Sequence, residues 1–474
     1  MSLSVIAYNN LQVVPYKLMS LQELTLTKKM NDHARLYFTG IVPEDVKDDY
    51  VKMTESNTVV EINQLDEQGN PLPLFKGIVL TIEVKTVRDV YYIEVEAASH
   101  TYHLDVKRNN RSFQNKEMTY ATLFQQVGAA YPGIDIIDEA SKGAALGNFT
   151  MQYRETDWQF LKRMASRFNT GLVPATTFDK PKFHFGVSEG SYKGKLEDYH
   201  YITRKKIADY LIYTKNGNQG IEENDFIYYE VETNHVLEIG DCVSFKEESL
   251  FVCEGLTSMK EGLLKHLYTL SSKEGMNQRE TYNESVIGLS VEGKVIEVAK
   301  DHVKIHLNID ETQDKGEAHW FLYSTVYTAE GHSGWYCMPE IDDYVHVYFP
   351  TDKEEDGIAS SSIRKNLDSS ETNKLDDPTI KYFRNAFGKE LMMSPTEIVI
   401  TAKDGDIYIR LNEENGIEIF SKKEIKIISD ADISVNSGKK ILMSAAEEIS
   451  LTCKESKIIM DGSVKIFGKE VKAN

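Results

Sequence analysis

The chain has 474 residues, of which 41% are apolar, 10% aromatic and 27% charged. That length exceeds the roughly 250–300 residues at which a single core stops growing, so several domains are expected, and the apolar content excludes a disordered scaffold. With 74 acidic against 54 basic residues the formal charge is −20, which repels a phosphate backbone and removes nucleic acid from the expected partners.

The first residues, from Met1 through Tyr8 and Asn10, carry neither a basic n-region nor an apolar h-region, and no later stretch approaches the ~18 apolar residues of a membrane span. Synthesis in the cytoplasm without Sec export is expected, with any later delivery outside the cell or into a target cell made by other means. Cys242, Cys253, Cys337 and Cys453 are scattered, with no CxxC pair, and free thiols are expected. No metal, cofactor or catalytic residue is expected.

In chain order, Val59-Val60-Glu61-Ile62 and Phe75-Lys76-Gly77-Ile78 read as strands. A compact motif follows: Leu104-Asp105, Arg108 and Arg111-Ser112-Phe113-Gln114-Asn115. His100 and His103 lie just before it, without a Cys or third His nearby, and ordinary polar contacts are expected for them. A second motif is Gln152-Tyr153-Arg154-Glu155-Thr156-Asp157, then Phe160-Leu161, Arg163 and Gly171. Here Thr156 with Gln159 reads as a capping box opening a helix whose apolar face carries Trp158, Leu161, Met164 and Phe168. Glu155 and Asp157 are expected to cap and position that helix rather than act as acid and base.

Gly190-Ser191-Tyr192-Lys193-Gly194-Lys195-Leu196 is one residue short of a phosphate loop and lacks its Ser/Thr, so a loop turn is expected. Phe226-Ile227-Tyr228-Tyr229 is a further strand. From 286 to 365 apolar and polar residues alternate, as in Val295-Ile296-Glu297-Val298 and His302-Val303-Lys304-Ile305-His306-Leu307, the pattern of strands with one face buried. Lys304 between the two histidines disfavours a bound cation. Gly331-His332-Ser333-Gly334-Trp335 departs from a nucleophile elbow by one position and reads as a loop. Glu222-Glu223 and Glu354-Glu355-Asp356 read as solvated surface. A polar linker follows, with Asp368-Ser369-Ser370-Glu371 and Asp376-Asp377-Pro378.

The C-terminal part is organised by a repeat. Apolar pairs occur at Ile417/Ile419, Ile425/Ile427, Ile433/Val435, Ile441/Met443 and Ile449/Leu451, an interval of eight residues four times running. Looser copies flank them at Ile398/Ile400, Ile407/Ile409, Ile458/Met460 and Val464/Ile466. Alternation within each copy is the period of a strand, and turn-formers such as Asn436-Ser437-Gly438 separate the copies. A strand that offers two apolar side chains per eight residues cannot enclose its own core. Three chains wound about one axis supply the missing walls, and each layer of six aliphatics then contributes about 9–18 kcal/mol gross. The alternative is a single-chain solenoid. A calcium roll is excluded because no GGxGxD run occurs.

The two motifs and the repeat together resemble the VgrG family of type VI secretion spikes and the hub-and-needle proteins of contractile-tailed phages, over nearly the whole chain. Residues 104–115 are similar to the family's LxxRxSRxFQN segment, with Asn110 in place of its Ser, and residues 152–163 to its QYxETDxxFLxR segment. Gly334-Trp335-Tyr336-Cys337-Met338-Pro339 and Tyr344–Phe349 resemble the OB-fold barrel at the needle base, with Asp342 where the family has a turn glycine. The resemblance implies a mainly β protein of several parts. These are two barrel-like hub domains at 1–100 and 176–285, an α/β connecting segment at 101–175, an OB-fold barrel at 286–365, a linker at 366–395 and an intertwined trimeric β-helix needle at 396–474. It also implies a non-enzymatic homotrimer in which paired hub barrels adapt threefold to sixfold symmetry, facing baseplate and tail-tube proteins and piercing a target envelope when a sheath contracts. The linker is too short for an inserted lysozyme, and no effector domain is expected at the tip. No His follows His346, so a His-x-His iron tip is not expected. Val464, Ile466 and Phe467 are instead expected to be covered by a PAAR-like tip protein. The rival classes are a trimeric adhesin binding a surface glycan and a peptidoglycan-degrading tail enzyme.

Overall fold

The computed structural model describes residues 10–66, 68–188, 190–197, 200–215, 221–260, 262–329, 333–363, 365, 377–470 and 472. The start of the chain, Gly331-His332 and most of the polar linker lie outside them. The chain is mainly β and divides into two units, 1–366 and 367–474.

Alternation builds the first unit. In the strand Ser20–Lys29, Leu24 and Leu26 are buried between outward Thr25 and Thr27, and in Val59–Leu65 the buried residues include Val60 and Ile62. These strands belong to one twelve-stranded sheet. One half runs in the order Leu11–Val14, Val59–Leu65, Pro71–Val87, Val90–Ser99, Arg35–Ile41 and Ser20–Lys29. The other continues through Glu248–Lys260, Leu263–Ser271, Ile227–Thr233 and Tyr201–Lys205. Each half wraps its own core, one around Phe38, Phe75 and Val95, the other around Phe245, Val252 and Leu270. Antiparallel pairing of Lys29 with Glu254 through Leu24 with Met259 joins the two barrel-like halves into one hydrogen-bonded surface. The near phosphate loop is a strand here, Tyr192–Lys195, running parallel to Cys242–Phe245.

Between the halves sits the connecting segment. Helices Tyr120–Gly128 and Asp157–Ser166 pack with a small sheet of Leu172–Pro174, Lys182–Phe185 and Asp135–Asp138 around a third core. The strand Lys182–Phe185 falls, by sequence, inside the second hub barrel. It packs instead with the connecting segment, because parallel pairing to Asp135–Asp138 carries Phe183 and Phe185 into the core of Trp158, Phe160 and Leu161.

Strands Ser290–Ala299, His302–Leu307, Trp320–Tyr323, Ile358–Ile363 and Tyr344–Tyr348 close a five-stranded barrel. Its interior takes every second residue, among them Val295, Val303, Ile305, Val345 and Val347, all fully buried. Asp342 adopts φ +77°, the left-handed conformation for which glycine is the usual residue and Asp a tolerated one.

The second unit holds an antiparallel meander of five strands between Lys381 and Ser421 and a three-stranded sheet of Ile449–Cys453, Ser456–Met460 and Val464–Phe467. From 422 to 448 the chain runs in extended pieces broken by two-residue bends at 422–423, 430–431, 438–439 and 446–447. Among the described residues of the whole chain, no helix is long and apolar enough to cross a membrane.

Candidate functional site

Cross-strand register decides which side chains share a face. In the meander Ile398 lies opposite Leu411, which lies opposite Ile417. Ile400 lies opposite Ile409, which lies opposite Ile419. Ile407 joins them two residues before Ile409. The reverse face carries Arg410, ion-paired to Glu397 and Glu418, beside Tyr408 stacked on Phe420. In the last sheet Leu451, Ile458 and Ile466 form one row and Ile449, Met460 and Val464 the next. Phe467 pairs with Lys457 and so points to the opposite face from Val464 and Ile466.

These apolar faces are uncovered in the single chain. Ile417 is 73% exposed, Ile427 76% and Val464 68%. Ile425, Ile433, Val435, Ile441 and Met443 are likewise exposed, along the extended pieces. No ladder joins those pieces to another strand of the chain among the described residues. The 27 residues from 422 to 448, eight of them in bends, therefore lie outside any ladder and carry uncovered aliphatics, a combination that a folded protein covers. One regularity is missing from the sequence reading. The position four after each first aliphatic is small, Ser421, Ser429, Ser437, Ala445 and Cys453. It shares the parity of the aliphatics and precedes a bend or turn.

In the first unit the two sequence motifs meet at a polar junction. The Thr156 hydroxyl accepts from the Gln159 amide and the Gln159 side chain accepts from the Thr156 amide, opening the helix Asp157–Ser166. The Asp157 carboxylate, 1% exposed, accepts from Arg111 at 2.5 Å, Tyr131 at 2.7 Å, Gln152 at 2.9 Å and Asn109 at 3.0 Å. Burial and this carboxylate push the Tyr131 hydroxyl pKa well up. Arg163 lies on the buried side of the helix and makes a two-pronged bond to Glu155, 2.8 Å on each arm.

The five-stranded barrel plugs into the same place. Ser112 donates through its amide and its hydroxyl to Asp310, each at 2.6 Å, and Gln114 bridges the Ile305 carbonyl and the His319 amide. Phe149 and Met151 are buried in the barrel core. Glu354, read from sequence as solvated surface, is 2% exposed, with Arg163 Nη1 at 2.6 Å and Arg167 Nη2 at 3.2 Å. The reading fails because the acid run sits on a one-turn helix that turns its first residue toward two arginines of another domain. Burial pushes the Glu354 carboxyl up against the pull of those arginines, while its two carboxylates hold Arg163 charged. The available signal was Arg163 itself, a cation on an otherwise apolar helix face.

Of the histidines singled out in the sequence, His302 and His306 take polar contacts, whereas the buried His100 Nε2 has no hydrogen-bond partner among the described residues. His302 lies 2.7 Å from Asp301, His306 3.0 Å from the Asp310 carbonyl, and Lys304 bonds the Lys315 carbonyl. His100 and His103 have ring centroids 5.9 Å apart. Among the described residues no group of three His, Cys, Asp or Glu side chains could hold a metal ion.

The seam between the two half-barrels contains a pH-sensitive residue. His266 is 1% exposed, 2.7 Å from the Thr257 hydroxyl, and burial with nearby Lys28 pushes its pKa down to about 4. His319 is pushed down to about 4, chiefly by burial. The unfolded chain takes up these protons near pH 6.5 and the folded chain only near 4, so stability is full above that window and falls as pH drops through it. The loss expected for His266 is about 3 kcal/mol by pH 4, at about 1.4 per unit. Urea midpoints at pH 7.5 and 4 measure it. His266→Gln should remove about half of the part that the two histidines carry, the His319 share remaining, and equal midpoints for the unsubstituted chain would refute the assignment.

Residues 291–363, which span the closed barrel, match the family described as the type VI secretion system/phage-baseplate injector OB domain. The fold is similar to that of the E. coli c3393 protein, a component of the type VI secretion system with structural similarity to T4 bacteriophage tail proteins gp27 and gp5. The TM-score is 0.53 at 12% identity, covering 75% of this chain and 99% of that one. It is also similar to a chain of the half-lidded Francisella PdpA–VgrG complex, with TM-score 0.56 at 9% identity, covering 86% and 87%. A chain of the lidless complex gives 0.55 at 9%, covering 84% and 93%. No curated protein matches the chain.

Proposed function

From a chain that has the fold of VgrG-like spikes and carries an injector OB domain, we propose that this protein is the homotrimeric central spike, hub and needle together, of a contractile injection system. The fold likeness supports the baseplate role. The trimer rests on a single observation, the uncovered apolar faces of residues 398–466 together with the backbone of 422–448 that joins no ladder, which lack walls within one chain. Two further copies supply those walls by symmetry, since the same aliphatics then meet in layers about an axis. The work is mechanical. The rigid shaft carries axial load when a sheath contracts, and the hub, tied to the barrel through Ser112 with Asp310 and Arg163 with Glu354, transmits it. Baseplate and tail-tube proteins then meet the hub, a PAAR-like protein covers Val464 and Ile466 at the far end, and the target envelope is met during piercing.

Cys453 provides the test. It follows Ile449 and Leu451 on their face of the strand, so in the trimer its three copies face one another. A short bismaleimide should join two chains covalently in high yield, and Cys453→Ser should abolish the product. A native mass equal to the 54.0 kDa of one chain, with a protected C-terminal third, would refute the proposal.

A further inference from the structure

The bends of the repeat carry charge, and its sign alternates from one run to the next: Lys422 and Lys423, then Asp430 and Asp432, then Lys439 and Lys440, then Glu447 and Glu448. All eight are exposed. Lys422 bonds Asp406, and Glu424 pairs with Lys426 at 3.0 Å. Asp430, Asp432, Lys439, Lys440, Glu447 and Glu448 make no ion pair among the described residues. Solubility alone requires charge at these corners, but not a sign that reverses every eight residues.

We propose that these charges set the axial register of the three chains, each run pairing with the oppositely charged run of a neighbouring copy. The inference rests on the trimeric reading above. When three chains wind together and each moves to the next face at every bend, the strands stacked on one face come from different chains. They are displaced by one run, so residue i of one copy lies over residue i+8 of the next. That shift places Lys422 over Asp430, Asp432 over Lys440, Lys439 over Glu447 and Lys440 over Glu448. Glu424 over Asp432 and Glu447 over Glu455 are the like-charged exceptions, and Glu424 already has Lys426 and Glu455 has Lys469. A chain slipped by one run lays Asp430 on Asp430, the lysines on themselves and Glu447 on Glu447. The apolar pairs cannot oppose that slip, because one aliphatic layer fits another. The charges can.

The middle column, Asp432, Lys440 and Glu448, gives the test, since all three have the parity opposite to the aliphatics and point away from the axis. In Lys440→Glu each new carboxylate meets Asp432 and Glu448 of its neighbours. The full-length trimer should dissociate on the order of tenfold faster, the sum of several exposed pairs turned from attractive to repulsive. The difference should shrink in 1 M salt, where the screening length is about 3 Å. Lys440→Gln should fall between, and the triple reversal D432K/K440E/E448K should return the rate to that of the unsubstituted trimer. Unchanged dissociation of the Lys440→Glu trimer, or no recovery on triple reversal, overturns the register proposal and leaves the trimer standing. A monomeric unsubstituted chain overturns the trimer itself.

Discussion

Ile433→Asp is expected to convert a particle of three times 54.0 kDa into single chains whose first unit remains folded. Ile433 stands at the middle of the repeat, and threefold symmetry makes the change three carboxylates in one layer. Each loses about 1.5–3 kcal/mol of aliphatic burial, and a buried carboxylate adds a penalty of several kcal/mol. Three like charges about one axis cannot all find partners. The first unit has its own cores around Phe75, Phe245, Phe160 and Val347 and does not depend on this layer. Ile428→Asp is the control. It carries the same chemical change five residues earlier, at a position of opposite parity that is 81% exposed in the single chain, and should leave the trimer intact. Sedimentation of both variants decides the matter. Trimeric Ile433→Asp would mean that the aliphatic pairs do not face the axis.

Arg163→Met should destabilise the first unit by about 3–5 kcal/mol, because removing one member of a buried ion pair leaves the other uncompensated. The stranded group is Glu354, 2% exposed, with Arg167 at 3.2 Å as its remaining cation. The sign of the pH dependence follows. Burial already raises the Glu354 carboxyl and Arg163 opposes that rise, so the variant's carboxyl lies higher still. A raised carboxyl in the folded state favours folding at low pH and loses that advantage as pH rises through its folded value. The deficit of the variant should therefore be largest at neutral pH and shrink in acid. Adding Glu354→Leu should recover part of the loss. Thermal unfolding of the two variants across pH measures both, and a deficit that grows in acid would contradict the assignment.

What could be read before the structure was what periodicity encodes. The eight-residue interval marks which face of Ile425, Ile433 and Ile441 seeks cover, the alternation of Val303, Ile305 and Leu307 marks a barrel wall, and Thr156 with Gln159 marks a helix start. Each of these signals lies in one continuous stretch of the chain, within about ten residues for the strand and the helix start and within 17 for Ile425 to Ile441. Pairing between distant segments leaves no such signal. Nothing near Lys182–Phe185 names Asp135–Asp138 as its partner, and nothing in a run of three acids says that its first member turns inward. The partners of Glu354 lie 187 and more residues earlier. The charge alternation along 422–448 was present in the sequence, but it acquires meaning only once the bends place those residues at the corners of successive runs.

The sheet that joins the two half-barrels has a consequence for biosynthesis. The strand Ser20–Lys29 emerges early from the ribosome, whereas its neighbour Glu248–Lys260 follows more than two hundred residues later. At about 5–20 residues per second the nascent chain waits on the order of ten to forty seconds with that edge unpaired. Met259 and Leu264, which complete the first core, arrive no sooner. The opening half-barrel is therefore an unfinished object throughout most of translation, and its exposed edge is where a ribosome-associated chaperone would be needed.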